Sequence, residues 1–130
     1  MIYRLSSLLL LTLAMGACSK RTAPEFDVAG PDVVFVQPQR DQVFNPGDEV
    51  SLVVDISENL GLHTYHIILV NGTTNIPLSL IAKNHIHGTN VRVDTSFVLP
   101  KESGQTFLID VEAIDHDDNV TKTALPIKTR

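Results

Sequence analysis

Val50-Ser51-Leu52-Val53-Val54-Asp55-Ile56-Ser57 decides the fold. Val50, Leu52, Val54 and Ile56 fall at every second position, with Ser51, Asp55 and Ser57 among the residues between them. Successive side chains of a strand point to opposite faces, so this alternation predicts a strand with one face in a core and the other towards water. A helix would need apolar residues three and four apart between capping residues, and no stretch of the chain sustains that spacing.

The same period recurs on either side. Upstream, Val33-Val34-Phe35-Val36 is a β-branched and aromatic run stopped by Pro38, which cannot donate to a ladder and so suits an edge strand. Asn45-Pro46-Gly47 is a turn signal, with Pro presetting φ and Gly free to take a positive one. Downstream, Asn59 to Gly61 closes the central strand, and Tyr65, Ile67 and Leu69 share the inward face of the next, with His66 and Ile68 opposite. Asn71-Gly72 predicts a tight turn into a short strand through Ile76, Leu78 and Leu80, which Pro77 confines to an edge.

Lys83 to Thr89 has no period and is expected to be irregular. Val91, Val93, Thr95, Phe97 and Leu99 then line one face until Pro100, and Phe107, Ile109, Val111 and Ala113 form a further inward row. Asp117-Asp118-Asn119 turns the chain into a last strand from Val120 to Ile127. Strands at intervals of roughly ten to fifteen residues with no helices between them predict an all-β, antiparallel sandwich of about seven strands. About 99 residues, 32–130, match the size of an immunoglobulin-like domain; with no cysteine pair and no Trp, the comparison is with fibronectin type III and cadherin-like sandwiches.

The N-terminus follows other rules. Residues 1–17 combine Arg4, the apolar run Leu8 to Met15 and the small Gly16 and Ala17, the layout of a secretory signal peptide. The run is about half the 20 or so residues needed to span a bilayer. Leu13-Ala14-Met15-Gly16-Ala17-Cys18 resembles the lipobox of bacterial lipoproteins, with Met15 where Leu is usual. The resemblance implies that Cys18, the sole cysteine, is acylated and becomes the mature N-terminus, held in the membrane by two or three chains. Ser19 after the cysteine implies outer-membrane sorting, and the basic Lys20-Arg21 leaves the facing side open. Residues 18–31, with Pro24, Gly30 and Pro31 and no periodicity, are expected to form a flexible tether.

Composition narrows the partners. Removing 1–17 takes away one Arg, leaving nine Lys and Arg against fifteen Asp and Glu, a net charge of −6. A basic stripe for phosphates is absent, which argues against nucleic acid. The partners expected are the membrane, through the lipid, and another envelope protein or an extracellular ligand.

Three longer stretches carry a second resemblance: Phe44-Asn45-Pro46-Gly47-Asp48-Glu49-Val50, Ile56-Ser57-Glu58-Asn59-Leu60-Gly61-Leu62, and Val111-Glu112-Ala113-Ile114-Asp115-His116-Asp117-Asp118-Asn119. Together they resemble a family of small, histidine-containing, immunoglobulin-like bacterial lipoproteins catalogued as a domain of unknown function. That resemblance implies a fold and an anchor, and no reaction.

Candidate chemistry rests on five histidines and the acidic turns. In a sandwich whose central strand runs towards residues 57–62, the strand after Asn90 begins at that same end and the strand 106–115 finishes there. His63, His85, His87 and His116 are thus expected at one rim with Asp55, Glu58, Asp115, Asp117 and Asp118, and His66 about 10 Å further down its strand. Imidazole is the commonest metal ligand, so His63, His85, His87 and His116 with Asp115 and Asp117 form a candidate site for Zn²⁺, Cu²⁺ or Ni²⁺. Glu58, Asp115, Asp117, Asp118 and Asn119 form a weaker candidate for Ca²⁺, which wants six to eight oxygens. Against both stands the ordinary use of polar loop residues in turns and solvation.

No cofactor is otherwise expected. Neither a Gly-x-Ser-x-Gly elbow nor a His-Glu-x-x-His helix nor a glycine-rich phosphate loop is present, and an acylated cysteine is no nucleophile. The reading is a non-catalytic, membrane-anchored binding or structural module of the bacterial cell envelope, with metal binding as the alternative.

Overall fold

The structure, a computed structural model, describes residues 27–130; the leader, Cys18 and most of the expected tether lie outside the described residues. The described chain is all-β, with strands β1 (Asp32–Gln37), β2 (Val43–Phe44), β3 (Glu49–Asn71), β4 (Pro77–Val98), β5 (Thr106–Asp115) and β6 (Val120–Thr129).

Two of these strands are far longer than the alternation implies. β3 has 23 residues and β4 has 22, and they pair antiparallel along nearly their whole length. The first half of β3 lies between β1 and the second half of β4, while the second half of β3 lies between the first half of β4 and β5. The β3–β4 ribbon therefore belongs to both layers of the sandwich and folds over between them. Asn71 at the end of β3 and Pro100 just past β4 line one depression, as the fold-over requires.

The crossing point is marked by a break in register. Ser57 pairs with Asn90 and Leu62 with Gly88, so residues 58–61 bulge from β3 against a single residue, Thr89, on β4. The chain departs from the expected pattern at this point. Asn59 to Gly61 does not end a strand, and Lys83 to Thr89 is not irregular but laddered to β3. Joining the second and third expected strands, and the fourth and fifth, lowers the strand count from about seven to six, with the two-residue β2 added.

Polarity misled at both places: the corner at residues 58–61 bulges outside the core with its Leu60 and Gly61 amides bonded to Glu58, the edge stretch of β4 is bonded on one side only, and both show water polar side chains. The Asn71-Gly72 turn is likewise longer than predicted. Asn75 N donates to Asn71 O, the amides of Thr73 and Thr74 donate to Asn71 Oδ1, and Asn75 rather than Gly72 takes positive φ. Gly72 serves closeness instead, since a Cβ there would sit 2.9 Å from Thr106 O.

The core is the predicted set of alternating rows. Val50, Leu52, Val54 and Ile56 meet Tyr65, Ile67 and Leu69, Val93, Phe97 and Leu99, and Phe107, Ile109, Val111 and Ala113, with Leu125 and Ile127 from β6. Ile76, Leu78 and Leu80 instead face solvent, because the register shifts between Ile67 and Ile68 and skips Ile81. β2 runs parallel to β6, an exception to the antiparallel pairing of the other strands.

Candidate functional site

The fold-over of the ribbon forms one end of the molecule, and four imidazoles gather there. His63 sits just past the β3 bulge. Leu62 and Tyr65 both point into the core, at 1% and 8% exposure, so a second irregularity turns His63 and Thr64 outward together. His85 faces Thr64 across the ribbon from β4, His87 follows two residues on, and His116 leaves β5 directly after Asp115. Strand topology, rather than proximity in sequence, brings them together.

The rings touch in a row. His63 and His85 lie edge to face with centroids 4.6 Å apart, His63 and His116 stack at 5.1 Å, and His85 and His87 meet at 4.7 Å. His63 is half-buried at the centre, and His85, His87 and His116 are exposed. Outside the strand ladders, His85 and His116 are bonded through their backbone amides, to Asn84 Oδ1 and to Gly61 O. His85 is held below the ordinary imidazole pKa by desolvation and by the neighbouring charges of His63, His87 and His116. His66 lies apart, opposite Lys83 and Glu112.

Of the carboxylates expected at the rim, Asp55, Glu58 and Asp115 are engaged by other partners, while Asp117 and Asp118 are exposed in the turn that follows His116. Asp115 is buried at 2% exposure and is used by its own turn: Oδ1 accepts from the amides of Asp117 and Asn119, and Oδ2 from Asn119 Nδ2, each at 2.8 Å. Asp118 takes positive φ in that turn, and Asp55 pairs with Arg92 at 3.4 Å on the strand surface. Glu58 Oε2 accepts from the amides of Leu60 and Gly61, fastening the bulge. Burial alone would raise the Glu58 pKa, but the amides of Gly61, Leu60 and Asn59 and the Asp27 side chain together hold it below the ordinary value.

Asp27 is the residue the sequence reading missed, because it falls within the expected tether. Its carbonyl accepts from Asn119 Nδ2, its Oδ1 accepts from the amide of Ala29, and its buried Oδ2 has no partner. Asp27, Glu58 and Asp115 each offer an oxygen within 4.8 Å of the others, a group able to hold a metal ion. Gly61 ties the acidic group to the imidazoles: its amide bonds Glu58, its carbonyl bonds His116 N, and a Cβ on it would approach His116 Cδ2 to 3.0 Å. An Asp side chain that bonds the backbone two residues on is a turn feature of many loops and does not by itself single Asp27 out.

No protein-family model matches the chain, and no curated protein matches it. Solved structures do. A superoxide reductase (neelaredoxin) from Ignicoccus hospitalis superposes with a TM-score of 0.55 at 8% identity, covering 79% of this chain and 83% of its own. Fibronectin(III)-like modules of CbhA from Clostridium thermocellum align at 0.48 and 11% identity, over 75% of this chain and 94% of theirs. A chitin-binding domain from Burkholderia pseudomallei aligns at 0.46 and 10%, over 70% of this chain and 57% of its own. The likeness, carried by the superposition above 0.5, is one of fold alone.

Proposed function

We propose that the chain is a non-catalytic binding module of the bacterial cell envelope, tethered to the outer membrane by lipid on Cys18, with the histidine end as its working surface. Its family is then that of small immunoglobulin-like lipoproteins, and its partners are the membrane and an envelope protein or extracellular ligand. The observation that carries the reading is the imidazole row itself. Four histidines from three parts of the chain meet where the core does not need them, and the fold uses the backbones of His85 and His116 rather than their rings. The tether follows from the small residues before Cys18 and from the composition of residues 18–31.

The tether is tested by expressing the full chain in a Gram-negative host fed an alkyne-bearing palmitate. The wild-type chain takes up label and sediments with membranes, and Cys18→Ser does neither. An unlabelled, freely soluble wild-type chain with an intact thiol would end the lipoprotein reading.

A further inference from the structure

We propose that His63, His85 and His116, with His87 as an outer ligand, form an exchangeable site for a borderline divalent transition-metal ion: Zn²⁺, Cu²⁺ or Ni²⁺. The inference rests on the reading of the histidine end as the binding surface, and it holds with or without the lipid.

The donor set selects the ion. Imidazole nitrogen suits Zn, Cu and Ni, whereas Ca²⁺ and Mg²⁺ take oxygen. Asp115 and Glu58 accept the amides of their own turn and bulge and converge with Asp27 in a group of their own, so they are not counted with the imidazoles. The donors already in mutual contact are therefore imidazoles, with the exposed Asp117 next to His116 in sequence.

Spacing agrees with chelation. A metal–nitrogen bond is about 2.0–2.1 Å, so two imidazoles on one ion at about 90–110° hold their ring centroids about 4.5–5.2 Å apart. His63–His85 at 4.6 Å and His63–His116 at 5.1 Å fall in that range, as does His85–His87 at 4.7 Å, and the stacked His63 and His116, with planes only 19° apart, must turn before both face one ion. His63 touches both His85 and His116, which makes it the hub, and His87 reaches the row through His85 alone.

Among the described residues the three-ligand set that already converges is Asp27, Glu58 and Asp115, so the imidazoles close on an ion by turning their rings. The exposed His85, His87 and His116 are free to do so. A site that closes this way binds less tightly than a rigid one and releases its ion readily, as suits capture and hand-over rather than structural support.

The test uses the full chain, purified in detergent without an affinity tag and titrated with Zn²⁺ by calorimetry. One saturable equivalent is expected, and His63→Ala removes it. His85→Ala and His116→Ala each weaken it by about tenfold or more, given that even outer-shell partners change metal affinity by about 10–100-fold. His87→Ala has a smaller effect and His66→Ala none. Cu²⁺ added to the wild-type chain gives an electron paramagnetic resonance spectrum with nitrogen coupling, which His85→Ala alters without changing the melting temperature.

Absence of saturable heat would overturn the site, as would a loss in His66→Ala equal to that in His63→Ala, the mark of scattered surface imidazoles. Loss of binding in Cys18→Ser would also overturn it, by making the thiol a ligand. A chain that fails to label at Cys18 but binds Zn²⁺ through His63 would sink the tether and leave this site standing.

Discussion

His85 shows how one side chain reports on its neighbours. An imidazole held below its ordinary value near 6.5 by desolvation and by other imidazoles stays neutral to lower pH than a free one. The unfolded chain then binds its proton first as pH falls. The stability His85 contributes is complete above the unfolded pKa and is lost as pH drops through the folded one. Nuclear magnetic resonance of the ring proton is expected to give a midpoint below the ordinary imidazole value, moving upward in His63→Ala. A His85 midpoint at the ordinary value, unmoved by His63→Ala, would mean the rings do not meet in solution.

The strands β3 and β4 carry the architecture between them. Ile67 sits at 0% exposure in the half of β3 that lies between β4 and β5, whereas Leu80, across the ribbon on β4, is 55% exposed. Ile67→Ala is expected to cost about 2–5 kcal/mol from lost burial and an unfilled cavity. Leu80→Ala is expected to cost about 0.5 kcal/mol or less, as is usual for a surface position. Urea unfolding of the two variants checks the register shift at Ile81, because the unshifted alternation would make both costly. Ile76, Leu78 and Leu80 read as an apolar row in sequence, and only the register shift shows that the row faces water.

For the whole molecule, the packing of residues 27–31 sets which end the N-terminal segment joins. Residues 27–31 dock at the histidine end: Asn119 holds the Asp27 carbonyl, Pro31 is buried, and a Cβ on Gly30 would meet Thr121 Oγ1 at 2.6 Å. Cys18 precedes Asp27 by nine residues, which span at most about 30 Å when fully extended. If Cys18 is acylated, the imidazoles face the membrane, and the turns at residues 45–48, 72–76 and 100–105 point away from it. In nanodiscs containing nitroxide lipids, amides of residues 58–63 and 115–120 are expected to broaden more than those of the three distant turns. The reverse pattern would place the site on the outward end.

The core rows, the sandwich class and the meeting of four histidines at one end were legible in the chain, because period-two burial and antiparallel order follow from local side-chain patterning. The merging of strands through residues 58–61 and 83–89 was not legible, since polar residues at a solvent-facing corner look the same whether their backbone is paired or free. The recruitment of Asp27 and the diversion of Asp115 into its own turn were also settled only in three dimensions. A carboxylate is spent on whichever amides the folded chain brings to it, and no pattern along the sequence records which those will be.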